Sequence, residues 1–170
     1  MKLLGAFIII VTSTLLGWEF ARRFTRRKNQ IRQLRLAFEA LEGEMVFSMA
    51  PLSDACQKVA VQSAAPINQL FSEVSEKLTS EEKSAPDIWA DCLKKWKKKT
   101  DLEAAEINIL EQFGQTIGQQ DIETQRNQIR LAITYFEQEE KHAQESEKKY
   151  ESMYRSLGFL GGVLIVIIMM

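Results

Sequence analysis

Residues that commonly carry out acid–base or nucleophilic chemistry are few in this chain, and they lie apart in sequence. His142 is the single histidine, and it sits in a polar stretch with no cysteine and no patterned carboxylate beside it. A metal ion or a general base needs partner side chains that hold and orient the imidazole. The sequence therefore predicts no catalytic residue, no metal site and no enzymatic activity.

Phosphate-binding loops and reactive cysteine motifs are also missing from the sequence. Neither GxxxxGK[ST] nor GxGxxG occurs, so the chain lacks the usual loops that hold nucleotide phosphates. Cys56 and Cys92 have no CxxC partner and lie in helical apolar patterns, which favours small core residues in a reducing compartment over a disulfide. We expect no cofactor and no small-molecule substrate, and any ATP-driven step would take its energy from a partner.

The elements that position these residues are predicted to be helices almost throughout. Glycine and proline are scarce, at 8 and 3 residues, and the polar segments are rich in good helix formers. Pro51 and Pro66 mark the start of two helices. Ser84 with Asp87 predicts the cap of a further one. The predicted fold is all-α, a compact cytoplasmic bundle of about five to six helices between an N-terminal and a C-terminal transmembrane helix.

Apolar residues at three- and four-residue spacing predict the core faces of these helices. They are Ile31, Leu34, Phe38, Leu41 and Met45; Ala55, Cys56, Val59 and Ala60; Ile67, Leu70, Phe71, Val74 and Leu78; Trp89, Leu93 and Trp96; Leu102, Ala105, Ile109, Phe113 and Ile117; and Ile122, Ile129, Ala132, Ile133 and Phe136. Thr100 with Glu103 predicts a capping box for the fifth helix. Gly118 is predicted to end that helix, and Asp121 to cap the last one.

Residues 1–21 are predicted to form the first transmembrane helix. The stretch from Leu3 to Phe20 is apolar apart from a few polar residues, and its 18 residues would reach ~27 Å as a helix, close to the thickness of a bilayer core. A cleaved signal peptide is the alternative. An uncleaved anchor is favoured because no A-x-A-like site precedes Arg22 and because the basic residues follow the apolar core.

Residues 22–35 form a basic collar next to this helix, and the following domain is predicted to be cytoplasmic. Eight of the 22 Lys and Arg residues precede Leu36, where Glu19 is the one acid. By the positive-inside rule, this cluster stays on the cytoplasmic side. A solvated helix face and a weak nucleic-acid patch are alternatives, but adjacency to a span favours anionic lipid, with no nucleic-acid partner. The predicted lipid-facing residues are Arg22, Arg23, Arg26, Arg27 and Lys28.

Residues 36–152 are predicted to be the cytoplasmic bundle, with residues 137–152 as a polar stalk, and residues 153–170 the second transmembrane helix. The wholly apolar run from Leu157 gives only ~21 Å of helix, so a thin or partial insertion is expected, with a buried core helix as the alternative. Small residues spaced by four predict close packing of the membrane helices. They are Ser13 with Gly17 and Gly158 with Gly162.

The run from Leu93 to Lys99 carries five lysines around Trp96. Its simplest interpretation is a helix C-terminus whose positive charge complements the helix dipole. The number of lysines exceeds what that role requires. A docking surface for lipid or for an acidic partner is the second interpretation.

Three segments, taken in order, resemble the stage III sporulation protein AB family of endospore-forming bacteria. They are EMVFSMAPLSDA at residues 44–55, FGQTIGQQDIETQ at 113–125 and YRSLGFLGGVLIVIIMM at 154–170. The resemblance implies a bundle similar to the cytoplasmic domains of F-type platform proteins of type II secretion and type IV pilus systems. Carried over by position, it implies partner or packing sites at Glu44, Pro51, Leu52, Gly114, Gly118, Asp121 and Gln125.

The resemblance further implies a non-enzymatic platform in a secretion-like channel complex between mother cell and forespore, required for sporulation. Its expected partners are membrane lipid and other stage III sporulation subunits, including a cytoplasmic secretion ATPase. The expected location is the mother-cell membrane facing the forespore, with two membrane passes and a cytoplasmic domain. The alternative is a membrane-surface scaffold that binds anionic lipid and partner proteins without a motor.

Overall fold

A computed structural model describes residues 2–118 and 121–169 of this chain, with only some of the side chains described before Arg22 and from Tyr150 onward. In these ranges the chain is helical and contains no strand. The helices are α1 (Lys2–Glu42), α2 (Leu52–Gln62), α3 (Ile67–Ser80), α4 (Ala85–Trp96), α5 (Ala104–Thr116) and α6 (Ile122–Met169). A π-turn, Gly43–Phe47, extends α1, and a 3-10 turn, Lys97–Lys99, extends α4. The all-α prediction is confirmed.

The chain divides into two compact units. One, here called the bundle unit, is Asn29–Glu140, and the other, the terminal unit, is Met1–Lys28 with Lys141–Met170. In the terminal unit, Lys28 Nζ lies 2.6 Å from Glu147 Oε2, and Arg26 lies 2.9 Å from Glu19.

The predicted membrane spans lie mostly among side chains that the structure does not describe. Ser13, Gly17, Gly158 and Gly162 all fall outside the described side chains, so their packing role stays a prediction. In the part of the chain that is described, no helix has both the length and the apolar character needed to cross a bilayer.

Phe38 of α1 is the centre of the core of the bundle unit. Its side chain is fully buried, and its ring meets rings from four other helices edge to face. The centroid distances are 6.2 Å to Phe71, 6.5 Å to Trp89, 4.8 Å to Phe113 and 5.2 Å to Phe136. Because one aromatic side chain joins α1 to α3, α4, α5 and α6, the helices pack around a single apolar core.

The helix starts follow the predicted signals with one exception. Ser84 accepts a hydrogen bond from the Asp87 N–H, and Asp121 accepts one from the Thr124 N–H. The capping box predicted at Thr100 is wrong: the box pairs Glu103 with Glu106 instead. The Thr100 hydroxyl donates to the carbonyl of Lys97 at 3.1 Å, so it is used to close the 3-10 turn.

Most predicted core residues are buried, whereas Met45, Leu78, Leu102 and Ile133 are only half-buried. Ala105 and Ile122 are exposed, which corrects the predicted faces of α5 and α6. On α5, the buried face is formed by Glu106, Ile109 and Leu110, because the helix begins at Ala104 and turns Ala105 outward. Ile122 is the first residue of α6. The cysteines are free and buried, as expected.

Candidate partner-binding site at the corner of the bundle unit

The two groups of predicted site residues meet at one end of the bundle unit. We call residues 43–52 the corner and the end that contains them the corner end. A Cβ atom placed on Gly118 would lie 3.7 Å from Leu52 Cδ2 and 3.0 Å from Ala85 Cβ. The start of α2, the start of α4 and the end of α5 therefore converge there, and α6 begins within a few residues.

The corner is a hydrogen-bonded turn with an unusual backbone. The Ser48 N–H donates to the Gly43 carbonyl at 3.3 Å, which closes the π-turn, and the Ala50 N–H donates to the Glu44 carbonyl at 3.1 Å. Met49 has φ of 49°, in the left-handed region that residues with a side chain seldom adopt. π-turns and strained residues are concentrated at functional sites in proteins.

Glu44 and Pro51 hold the corner to α2. Glu44 Oε2 lies 2.6 Å from Lys58 Nζ. The carbonyl of Pro51 accepts from the Ala55 N–H at 2.9 Å, so Pro51 opens α2 as its sequence position predicts. These contacts give both residues a structural role in shaping the corner.

Gly118, Asp121 and Gln125 shape the α5–α6 turn. Gly118 has φ of 74°, which a glycine adopts without strain. Asp121 Oδ1 accepts from the Thr124 N–H at 2.7 Å, and this hydrogen bond to the backbone lowers the pKa of the carboxyl group. Gln125 is half-buried and lines a small crevice together with Met45 of the π-turn.

Gly114 lies one turn inside the bundle unit, against Trp89. A Cβ atom at position 114 would approach Trp89 Cδ1 to 2.1 Å, so only glycine permits this contact. The indole N–H of Trp89 donates to the Leu110 carbonyl at 2.8 Å. Beside this contact, α4 and α5 leave a groove of about 460 Å³ that is lined by Leu93, Lys94 and Glu111 among others.

Two exposed apolar residues of the corner were not predicted as site residues from the sequence. Phe47 is 77% exposed and Met49 is 75% exposed. Their position in the sequence could have indicated their exposure. Both lie between Met45, the last residue of the α1 core face, and Pro51, which starts α2, and neither fits the apolar pattern of α1 or of α2. Large apolar side chains held in solvent on a constrained turn are typical of protein contact sites.

The two cysteine thiols are buried in the bundle unit. Burial raises the pKa of the Cys56 thiol to about 12 and that of Cys92 to about 11, so both stay protonated and are weak nucleophiles near neutral pH. No three potential metal ligands cluster among the described residues. His142 is exposed on α6.

The predicted lipid-facing basic residues lie in the terminal unit and have different surroundings. Arg22, Arg23 and Arg26 are exposed, whereas Arg27 is buried and Lys28 is paired with Glu147. Their contact with lipid stays a prediction.

Comparisons with known proteins all give the same result. The family model described as stage III sporulation protein AB matches residues 2–170. The stage III sporulation protein AB of Bacillus subtilis (strain 168) is 41% identical over 170 residues, which is 100% of this chain and 99% of that protein. A solved structure of a stage III sporulation protein AB has a TM-score of 0.69 and 38% identity, covering 73% of this chain and 98% of that one.

Proposed function

We propose that this chain, which belongs to the stage III sporulation protein AB family, is a non-enzymatic membrane platform. The platform would be part of a secretion-like channel complex between mother cell and forespore. In this proposal the corner binds a cytoplasmic secretion ATPase, and the hydrophobic ends hold the protein in the mother-cell membrane. Other stage III subunits assemble on the same platform.

The observation that carries the proposal is the exposure of Phe47 and Met49 on a constrained turn. Burying the two side chains against a partner would remove apolar area from water, and the hydrogen bonds of the π-turn lower the entropic cost of ordering the loop. Such preorganised apolar anchors are the usual source of affinity at protein interfaces.

Membrane anchoring is supported by the apolar sequence of the two ends. The first 18-residue stretch would reach ~27 Å as a helix, and the basic residues that follow it favour a cytoplasmic bundle unit. An ATPase that supplies energy from the cytoplasm could then reach the corner.

The proposal is tested by purifying the full-length chain with its partners from sporulating cells after mild solubilisation. The variant F47A/M49A removes the two apolar anchors, and V61A/L131A removes exposed apolar side chains of α2 and α6 as a matched control. We expect F47A/M49A to lower the amount of copurified ATPase about 30-fold or more, the effect of losing one interface hot spot, and to reduce spore formation. Full ATPase recovery with F47A/M49A would refute binding at the corner.

A membrane-surface scaffold without a motor is the second candidate, and the exposed lysines that end α4 favour it. It predicts that no ATPase copurifies with the wild-type chain, while the chain still retains anionic lipid and other subunits. The same purification therefore separates the two candidates.

A further inference from the structure

Five lysines form an exposed cluster where α4 ends. They are Lys94, Lys95, Lys97, Lys98 and Lys99, here called the lysine cluster, and each is exposed. Lys97 Nζ lies 3.6 Å from Glu111 Oε1. Among the described residues, no ion pair within 4.0 Å neutralises the other four. The cluster therefore keeps most of its positive charge available to something outside the bundle unit.

The cluster lies at the end of the bundle unit where α1 enters. The Asp101 N–H, which follows the 3-10 turn, donates to Gln30 Oε1 at 3.0 Å. The indole N–H of Trp96 donates to the Pro66 carbonyl at 2.7 Å. We call this the stem end, because Gln30 is the second residue of the bundle unit, lies within the basic collar and follows the N-terminal apolar stretch in sequence.

A role in helix capping does not account for the cluster. One or two cations near the last carbonyls of α4 would complement its dipole, whereas five cations within six residues repel each other. The nearby acids in the sequence are Asp101 and Glu103, and the Glu103 carboxylate accepts a backbone hydrogen bond in the capping box. The segment from Lys94 to Glu103 thus has five positive and two negative charges.

The chemistry of the cluster fits a surface contact rather than insertion. Trp96 is the one aromatic residue within it, and this side chain is 2% exposed with its indole N–H bonded. No apolar side chain of the cluster is therefore free to enter a bilayer. Lysines alone bind anionic headgroups through charge, at long range and with strong dependence on salt.

We propose that the lysine cluster rests on the anionic headgroups of the membrane in which the chain is anchored, so that the stem end is held against the lipid surface. This inference rests on the membrane anchoring in the proposed function. It assigns the two ends of the bundle unit to different ligands, with lipid at the stem end and a protein at the corner end.

The test measures energy transfer from a dye on the full-length chain to acceptor-labelled headgroups in reconstituted vesicles. The dye is attached at A104C, at the stem end, or at E82C, in the turn between α3 and α4, since both positions are exposed while Cys56 and Cys92 are buried and unreactive. Vesicles contain either phosphatidylglycerol in phosphatidylcholine or phosphatidylcholine alone. The variant K98Q/K99Q removes two charges, and K77Q/K83Q is the control with the same charge change elsewhere.

We expect high transfer from A104C in phosphatidylglycerol vesicles, lower transfer in phosphatidylcholine, and a further loss as salt rises. Each lysine near an anionic surface contributes about fivefold, so K98Q/K99Q is expected to lower the docking equilibrium about 25-fold. Transfer from E82C stays low in all vesicles, and transfer from A104C in K77Q/K83Q equals that of the wild type.

Equal transfer from A104C in both lipids, or in K98Q/K99Q and wild type, would overturn the proposal. If K98Q/K99Q instead releases an acidic protein from the purified complex without changing transfer, the cluster is a protein contact and the lipid assignment is wrong. Failure of the anchoring itself is recognised separately, because alkaline carbonate would then wash the unmodified full-length chain from the vesicles.

Discussion

Contacts on several sides hold the Trp89 side chain in place. Its ring packs edge to face on Phe38, Phe71 and Phe113, at 6.5, 5.9 and 5.2 Å, and its indole N–H is bonded to the Leu110 carbonyl. Gly114 leaves the space into which the indole fits. A larger residue at position 114 must therefore shift the Trp89 ring, and with it the packing of Trp89 on the three phenylalanine rings.

We predict that G114A destabilises the protein although alanine is the better helix former. The added Cβ would lie 2.1 Å from Trp89 Cδ1. Overpacking of this kind costs about 1–3 kcal/mol, which outweighs the gain of about 1 kcal/mol in helix propensity. Urea unfolding of the full-length chain in detergent, followed by circular dichroism, measures the change.

The control for this substitution is G43A, since a Cβ atom on Gly43 meets nothing within 4 Å. We expect no loss of stability there. A G114A protein that unfolds at the same urea concentration as G43A would contradict the steric explanation.

At the scale of helices, the start of α6 depends on Asp121, and its effect depends on pH. The hydrogen bond from the Thr124 N–H lowers the pKa of the Asp121 carboxyl group below its ordinary value of 3.8. A lowered pKa means that the stabilisation is complete above the unfolded-state value and is lost as pH falls through the folded-state pKa. The cap is therefore fully formed at neutral pH and lost in acid.

We predict that D121A raises hydrogen exchange several-fold at the first turn of α6, because its N–H groups lose their acceptor. D121N keeps an acceptor and should leave protection nearly unchanged. The wild type should approach D121A in protection only below its lowered pKa, whereas D121N should show no such pH dependence. E123A, which removes an exposed carboxylate next to the cap, is the control, and equal effects of D121A and E123A would refute the assignment.

Helix boundaries were predictable where one residue fixes the backbone. They were not predictable where either of two residues could act as the N-cap of the same helix. Pro51 and Pro66 have a restricted φ and lack a donor, so α2 and α3 begin where the sequence indicates. Thr100 with Glu103 matches the Ser/Thr-x-x-Glu capping pattern, whereas Glu103 with Glu106 begins with a residue that seldom caps helices. Only the folded chain shows that the Thr100 hydroxyl closes the preceding turn and that Glu103 and Glu106 form the box.

The sequence named residues that the fold brings together at the corner end, but not the exposed surface that they support. Leu52 and Gly118 are in separate segments, and their proximity depends on how α2, α4 and α5 pack. The exposure of Phe47 and Met49 depends on the π-turn and on the left-handed backbone conformation of Met49. The spacing of apolar residues in the sequence predicts neither feature. Exposure is a property of the packed bundle, so the local sequence does not determine it.

At the scale of the whole molecule, the proposed platform needs two functions from one short chain: attachment to a bilayer and presentation of a constrained corner. In the proposal, the apolar ends provide the first function and the bundle unit the second, and the lysine cluster restricts how the stem end lies on the lipid. If attachment is shared between the ends, their contributions should differ, because the two apolar stretches differ in length.

We predict that removal of residues 153–170 leaves the chain resistant to carbonate extraction. The N-terminal stretch would reach ~27 Å as a helix, which nearly matches the ~30 Å thickness of the hydrocarbon core of a bilayer. Removal of residues 2–21 should give partial release, because the C-terminal run from Leu157 provides only ~21 Å of helix and fits the bilayer only with local thinning. Removal of both should release the chain completely. Fractionation with an antibody to the bundle unit measures all three. A chain that lacks both ends but stays in the membrane fraction would contradict this prediction, because the bundle unit itself would then carry the attachment. The lysine cluster would not explain that result in high salt, since its contact with lipid is sensitive to salt.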